Sequence, residues 1–158
     1  MSKNLSELSA SSPRYLGDLK AGDRFTSPGH LLDEAQIKAF ALQFDPQPFH
    51  LDHEAARATL FGGLAASGWH TAAITMRLLV GGGLPLARGI VAAGGEIAWP
   101  KPTRPGDVLH VETEVVSVMP SRSRPDRGMV VVRSETRNQH GDVLQHSVYK
   151  LVVPRKTA

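Results

Sequence analysis

The segment from Asp45 to His53 is the densest group of residues in the chain that could do chemistry, with two carboxylates, two imidazoles and the amide of Gln47. Pro46 and Pro48 lie within this segment. Because each proline fixes one backbone torsion, this loop can hold its side chains in place at a small cost in conformational entropy. A carboxylate and an imidazole held at a fixed separation can give a proton to a reacting molecule or take one from it. The segment is therefore a candidate site for general acid–base chemistry.

The same segment allows two other interpretations. Asp45 could cap local backbone groups while His50 is a core histidine with internal hydrogen bonds, and the pattern alone favours this structural interpretation. A metal site is the other, because Asp52 and His53 add further ligand types. Their placement after His50 does not match a known ligand spacing such as His-Glu-x-x-His, so we expect no metal.

A second candidate site lies at Gly68, where small residues precede a long apolar segment. Backbone N–H groups at the start of a helix lack intrahelical partners, and they can donate to an oxyanion or a carbonyl. Ser67 and His70 are candidates for the wall of such a site. Gly68 could equally serve close packing of the helix on a sheet, and Ser67 could be only the helix cap.

Helical periodicity predicts that the first half of the chain is mainly helical. Asp33 can cap a helix whose apolar residues recur at helical spacing up to Phe44, where the following prolines end it. A helical turn is expected over 53–59. The longest helix is predicted over 67–80, ended by the glycines at 81–83. Its apolar residues lie on most of its faces, which is typical of a central, buried helix.

The second half of the chain alternates apolar and polar residues in the manner of strands. We predict strands over 89–99, 108–118, 129–137 and 143–153. The last two are joined by a turn at 140–142, and a long mobile loop is expected over 119–127. Earlier in the chain, a turn at 21–23 is expected to lead into a short strand. One buried helix and several antiparallel strands predict an α+β domain in which the sheet wraps the helix.

Length and composition bound the remaining expectations. The chain has 158 residues, the usual size of one domain, and we expect a flexible tail over 1–13 followed by a single domain over 14–158. The absence of cysteine excludes disulfides and thiolate catalysis. A net charge of +3 without a basic run does not suggest a nucleic-acid partner. Neither a secretory signal nor a membrane span is apparent, so a cytoplasmic protein is expected.

Three segments resemble one known family. The spacing Asp45-x-x-Pro48-x-His50 is similar to the signature of MaoC-like hydratases, commonly Asp-x-Asn-Pro-x-His followed by a small residue. Gln47 stands where asparagine is usual and keeps an amide there. Ala55 or Ala56 supplies the small residue.

The other two segments follow in the order that this family shows. Residues 61–71 resemble its loop into the central helix, and residues 99–107 resemble its Pro-Gly-Asp turn between two strands. The resemblance extends from about Leu16 to Val153. It implies the hot-dog fold, a five-stranded antiparallel sheet curled around one long helix. It also implies a homodimer, or a higher homo-oligomer, in which two sheets join edge to edge.

The family resemblance implies an activity and a role for each site residue. Members hydrate a trans-2-enoyl thioester of coenzyme A to the (R)-3-hydroxyacyl product, or catalyse the reverse dehydration. Asp45 and His50 would hold and activate one water, and the Gly68 N–H would polarise the thioester carbonyl. No cofactor is implied, because coenzyme A is part of the substrate. The residues expected to contact substrate are Gln47, Phe49, Ser67, Trp69 and His70.

Two related functions remain open as alternatives. A non-catalytic protein of this fold could bind acyl thioesters. An acyl-CoA thioesterase is a weaker alternative, because such enzymes usually carry a carboxylate on the central helix and residues 67–80 contain none. Some basic residues could contact the phosphates of coenzyme A, although each is more simply a surface charge: Lys101, Arg104, Arg122, Arg124 and Arg127.

Overall fold

The computed structural model describes residues 12–157. Within them, the helices are α1 (Glu34–Phe44), α2 (Pro48–Leu51), α3 (His53–Arg57) and α4 (Gly68–Leu78). The strands are β1 (Arg24–Thr26), β2 (His30–Leu31), β3 (Ala92–Ala98), β4 (Val108–Pro120), β5 (Arg127–Arg137) and β6 (Val143–Pro154). The predicted tail mostly falls on residues 1–11, outside the described part of the chain, and stays a prediction.

The strands form one antiparallel sheet in the order β1-β4-β5-β6-β3, with β2 paired to the start of β4. The predicted five-stranded path is therefore confirmed, and the two-residue β2 adds a sixth strand. The predicted strand over 89–99 is shorter than expected, since β3 begins at Ala92. The long β4, β5 and β6 curve around α4, which is the hot-dog arrangement.

The core lies between α4 and the inward face of the sheet. In β4, residues Leu109, Val111, Thr113 and Val115 are buried, while the alternate residues 110, 112 and 114 are more exposed, as the pleat of a strand requires. Ile74 and Leu78 of α4 pack into the same core cluster. Burial of these side chains against the sheet holds the helix in place, since each contributes about 1.5–3 kcal/mol.

The prediction of a central helix is confirmed, but α4 is not covered on every side. Trp69, Ala73, Arg77 and Val80 are exposed along one face of α4 and the π-helical turn Leu79–Gly83 that continues it. The sheet curls around only one side of the helix, so the apolar residues of the other side remain uncovered in a single chain. The glycine-rich ending is confirmed, because Gly82 has a φ of 128°.

Two predicted loops are also corrected. The segment from Asp45 to His50 is not loop throughout, because α2 begins at Pro48. Proline suits the first position of a helix, where its missing N–H has no intrahelical partner in any case. The loop predicted over 119–127 is only a turn over 121–126, closed by a 3.0 Å bond from the Ser121 N–H to the Arg127 carbonyl.

Among the described residues, no helix has the length and apolar character that crossing a bilayer requires.

Candidate active site

Asp45 stands at the junction between α1 and α2. Its backbone N–H ends α1 by donating to the Ala41 carbonyl at 2.9 Å. Its side chain lies beside His50, and the amide of Gln47 donates to Asp45 Oδ1 at 2.5 Å. Gln47 thus braces the carboxylate directly, which is the role that an amide at this position could fill.

His50 is buried in α2, with 4% of its surface exposed. Its Nδ1 lies 2.7 Å from the carbonyl oxygen of Ala65, and its Nε2 lies 3.3 Å from Asp45 Oδ2. Because a carbonyl only accepts hydrogen bonds, the 2.7 Å contact is a hydrogen bond when Nδ1 carries the hydrogen. In the neutral ring Nε2 then has a free lone pair, so His50 can accept a proton next to the carboxylate.

Aromatic rings enclose the imidazole of His50. Phe49 meets it edge-on at a centroid distance of 4.6 Å, and the Phe61 ring lies at 5.8 Å. These rings cover the imidazole with apolar surface on the sides away from Asp45. Among the described residues, the polar contacts of the His50 ring are with the Ala65 carbonyl and the Asp45 carboxylate.

Opposing influences act on the pKa of Asp45. Burial raises the pKa. Hydrogen bonds from Ser67 and Gln47, together with the nearby His50, lower it by more than burial raises it, so the pKa lies below its usual range. The carboxyl group is therefore ionised at neutral pH. Ser67 also caps α4, since its hydroxyl accepts from the Trp69 N–H at 3.2 Å.

Gly68 is the first residue of α4, and its N–H has no acceptor among the described residues. Trp99 lies directly against it, so that a Cβ atom at position 68 would meet the indole ring at 2.8 Å. The indole N–H donates to the buried Gln145 at 2.9 Å, which fixes the ring. Only glycine allows this close approach, and it leaves a backbone donor at the edge of the pocket.

The pocket has a volume of about 390 Å³ and adjoins His50. It is lined by residues from α2, the loop before α4, the first turn of α4, and the segment after β3. These residues are Gln47, Phe49, His50, Phe61, Ala66, Gly68, Thr71, Trp99, Pro100, Lys101, Pro102 and Thr103. His50 and the Gly68 N–H thus line one largely apolar cavity. Asp45 is not among the lining residues; its carboxylate lies next to the cavity, 3.3 Å from His50 Nε2.

Some of the residues proposed from the sequence do not line this pocket. Ser67 is fully buried behind it. Trp69 is 61% exposed and meets Trp99 edge-on at 5.3 Å. His70 stacks on Phe40 at 4.4 Å, away from the pocket. Burial, with a contribution from His30, lowers the pKa of His70 to about 4, so its ring is neutral at neutral pH.

The neighbouring Asp52 and His53 also face elsewhere. Asp52 caps α3 by accepting from the Ala55 N–H at 2.9 Å, and His53 lies 3.0 Å from Glu34. Over residues 12–157, no group of three histidine, aspartate or glutamate side chains could hold a metal ion.

Sequence reasoning missed seven wall residues that the fold brings to the pocket: Phe61, Ala66, Thr71, Trp99, Pro100, Pro102 and Thr103. The hydroxyls of Thr71 and Thr103 lie 2.8 Å apart, although 32 positions separate them in sequence. The only available signal was that they fall in or beside the two segments that resemble the MaoC-like family.

The basic residues considered for phosphate binding are dispersed. Lys101 lines the pocket and pairs with Asp142 at 2.7 Å. Arg104 binds backbone carbonyls of the loop before α4. The other three lie at the far end of β4, in or next to the turn over 121–126: Arg122, Arg124 and Arg127. Contact with coenzyme A phosphates stays a prediction for all of them.

Comparisons with known proteins agree on one family. The MaoC like domain family matches residues 19–138. An uncharacterised protein of Bacillus subtilis, YdeM, is 32% identical over 127 residues, which is 78% of this chain and 87% of that protein.

Two solved structures extend the similarity. The MaoC-like dehydratase from Rhodospirillum rubrum has a TM-score of 0.90 and 64% identity, and the match covers 92% of this chain and 99% of that one. The (R)-hydratase from A. caviae involved in PHA biosynthesis has a TM-score of 0.69 and 25% identity, with 86% of this chain and 98% of that one covered. With the hot-dog fold and the Asp45–His50 pair, these matches show that the chain belongs to the MaoC-like family.

Proposed function

We propose that this protein catalyses the reversible hydration of a trans-2-enoyl-CoA, or a related enoyl thioester, to the (R)-3-hydroxyacyl thioester. The observation that carries the proposal is the pairing of His50 Nε2 with Asp45 Oδ2 at 3.3 Å, while Nδ1 is held by a carbonyl. This arrangement places a carboxylate beside a proton acceptor, His50, that lines the pocket. The (R) configuration is proposed by similarity to the A. caviae enzyme.

In the proposed reaction, one water donates its hydrogens to Asp45 Oδ2 and His50 Nε2. The water oxygen forms a bond to the β carbon as one of its protons moves to Nε2. The electrons of the carbon–carbon double bond shift to give an enolate with its charge on the thioester oxygen. The enolate then takes the proton from Nε2 at the α carbon, so that one water is added and His50 returns to its neutral form.

The negative charge of Asp45 stabilises the imidazolium that exists between these two proton transfers. Its lowered pKa supports this role, since the group stays ionised at neutral pH. The N–H of Gly68 is proposed to donate to the thioester oxygen as it becomes negative. A preorganised donor of this kind contributes about 3–4 kcal/mol to transition-state stabilisation in enzymes that form oxyanions.

The test is the hydration of crotonyl-CoA and longer enoyl-CoA substrates, followed by the loss of enoyl-thioester absorbance and by chiral analysis of the product. We expect His50→Ala and Asp45→Asn each to lower kcat by about 10²–10⁴-fold, because each removes a partner in proton transfer. Asp52→Asn and His53→Gln are matched controls outside the pocket and should retain activity.

Three results would contradict the proposed hydration. The first is a wild-type protein that is inactive on all chain lengths, and the second is a kcat in the Asp45 and His50 variants that equals the wild-type kcat. The third is release of free coenzyme A without hydration, detected with a thiol reagent, which would indicate a thioesterase.

We also propose that the protein is a homodimer formed through β3. This strand pairs only with β6 among the described residues, and its other edge is open. Exposed apolar side chains lie near both ends of β3: Val91 (56% exposed) comes just before it, and Trp99 (40%) comes just after it, in contact with Trp69 (61%). An uncovered strand edge beside large apolar side chains favours pairing with a second copy across a two-fold axis.

A further inference from the structure

Arg104 lies beside the pocket but takes part in none of the ion pairs found over residues 12–157. Its guanidinium instead donates to three backbone carbonyls of one loop. Nη2 binds the carbonyl of Phe61, and Nη1 binds those of Gly63 at 3.0 Å and Leu64 at 3.3 Å. The planar fork of arginine can hold several acceptors at once, which the single ammonium of lysine cannot do in the same geometry.

The loop that Arg104 holds leads directly to the Ala65 peptide, which contacts the catalytic pair. The Ala65 N–H donates to the Phe49 carbonyl at 3.1 Å, and the Ala65 carbonyl accepts from His50 Nδ1 at 2.7 Å. The next N–H, that of Ala66, donates to the Thr103 carbonyl at 2.9 Å. The position of the Ala65 carbonyl therefore depends on a peptide segment that Arg104 fixes on its N-terminal side.

This carbonyl competes with Asp45 for the single hydrogen of the neutral His50 ring. With the hydrogen on Nδ1, Ala65 is the acceptor and Nε2 is free to take a proton. With the hydrogen on Nε2, the Asp45 carboxylate at 3.3 Å is the acceptor, and a charged acceptor forms the stronger hydrogen bond. A displaced Ala65 carbonyl would therefore favour the tautomer in which Nε2 already carries a hydrogen and cannot act as a base.

We propose that Arg104 is a positioning residue for the hydration reaction, which acts by holding the 61–65 loop so that His50 keeps its hydrogen on Nδ1. The inference rests on the proposed function for its effect on rate, but the tautomer itself can be observed without any substrate. Arg104 touches neither His50 nor the reacting atoms, so its effect is expected on proton transfer more than on substrate binding.

The tautomer is tested by ¹⁵N NMR of the histidine side chains, comparing wild type with Arg104→Lys at a pH where the ring is neutral. Wild-type His50 is expected to show the Nδ1–H form. In Arg104→Lys the signals should move toward the Nε2–H form. A His50 ring that keeps the Nδ1–H form in a folded Arg104→Lys protein would overturn the proposal.

The rate is tested with the same variant and with Arg104→Ala. We expect kcat on the best enoyl thioester to fall by about 10²-fold, as is typical when a catalytic group loses its geometry, with a much smaller change in KM. Added guanidinium at millimolar concentration should restore part of the kcat of Arg104→Ala. A loss of stability with unchanged kcat would show that Arg104 is only structural and would contradict the proposal.

Arg14→Lys is the matched control, because Arg14 is also half-buried and donates to one backbone carbonyl, that of Asp18, far from the pocket. It should change neither the His50 tautomer nor kcat.

If Arg104→Ala does not fold, the rate is tested with Arg104→Lys, which keeps the charge. If wild type hydrates no enoyl thioester, the proposed function fails, while the NMR result still decides whether Arg104 controls the His50 tautomer.

Discussion

At the scale of single residues, hydrogen bonds from Ser67 and Gln47 favour the ionised form of Asp45. The Gln47 amide donates to the charged form of Asp45, and hydrogen bonds to a carboxylate lower its pKa. We predict that Gln47→Ala raises the pKa of Asp45. A higher pKa means that the carboxylate is protonated at less acidic pH, so the acid limb of the kcat–pH profile should move to higher pH.

Direct titration of the Asp45 carboxyl by ¹³C NMR would check the same shift without substrate. Gln43→Ala is the control, because Gln43 is an exposed glutamine of α1. An acid limb that does not move in Gln47→Ala would show that the amide does not stabilise the carboxylate.

At the scale of elements, the close approach of α4 to the end of β3 depends on Gly68. A methyl group there would lie 2.8 Å from the Trp99 indole, which Gln145 holds in place. We predict that Gly68→Ala lowers the free energy of unfolding by about 1–3 kcal/mol, as overpacking of a tight contact does. Activity should also fall, because the pocket wall must shift.

Gly81→Ala is the matched control in the turn that continues α4. Nothing lies within 4 Å of its Cβ position, and Gly81 is not among the glycines of positive φ. This change should be neutral or stabilise by about 0.4–1 kcal/mol, since it reduces the freedom of the unfolded chain. Urea unfolding of both variants would measure the difference, and equal stabilities would contradict a contact between position 68 and Trp99.

At the scale of the whole molecule, the open edge of β3, with exposed apolar side chains near both of its ends, predicts assembly. We expect sedimentation analysis to find a dimer for wild type and a monomer for the double variant Trp69→Lys/Val91→Lys, because charges beside this edge would have to be buried on pairing. Met119→Lys is the control: Met119 is 66% exposed, but β5 and β6 separate its strand, β4, from β3. A wild-type monomer at micromolar concentration would contradict the proposed homodimer.

Much of the fold was predictable because its signals are local. Asp33 and its 2.8 Å bond to the Gln36 N–H reproduce the expected helix start, and alternating burial in β4 reproduces the expected strand. The exposed face of α4 was not predictable, because its apolar residues look the same in sequence whether a sheet or another chain covers them. A loop was predicted at Pro48, where α2 begins, because proline is found both after the end of a helix and at the first position of one.

The sequence by itself determined the order of the elements and the spacing that places Asp45 and His50 on either side of one turn, since these depend on residues close along the chain. Only the tertiary structure decided which nitrogen of His50 faces Asp45, because the deciding carbonyl belongs to Ala65, 15 positions away. It likewise brought Trp99 against Gly68 and directed Arg104 to backbone carbonyls. Contacts of this kind follow from the close packing of the whole core, which joins residues distant in sequence and therefore leaves no local pattern.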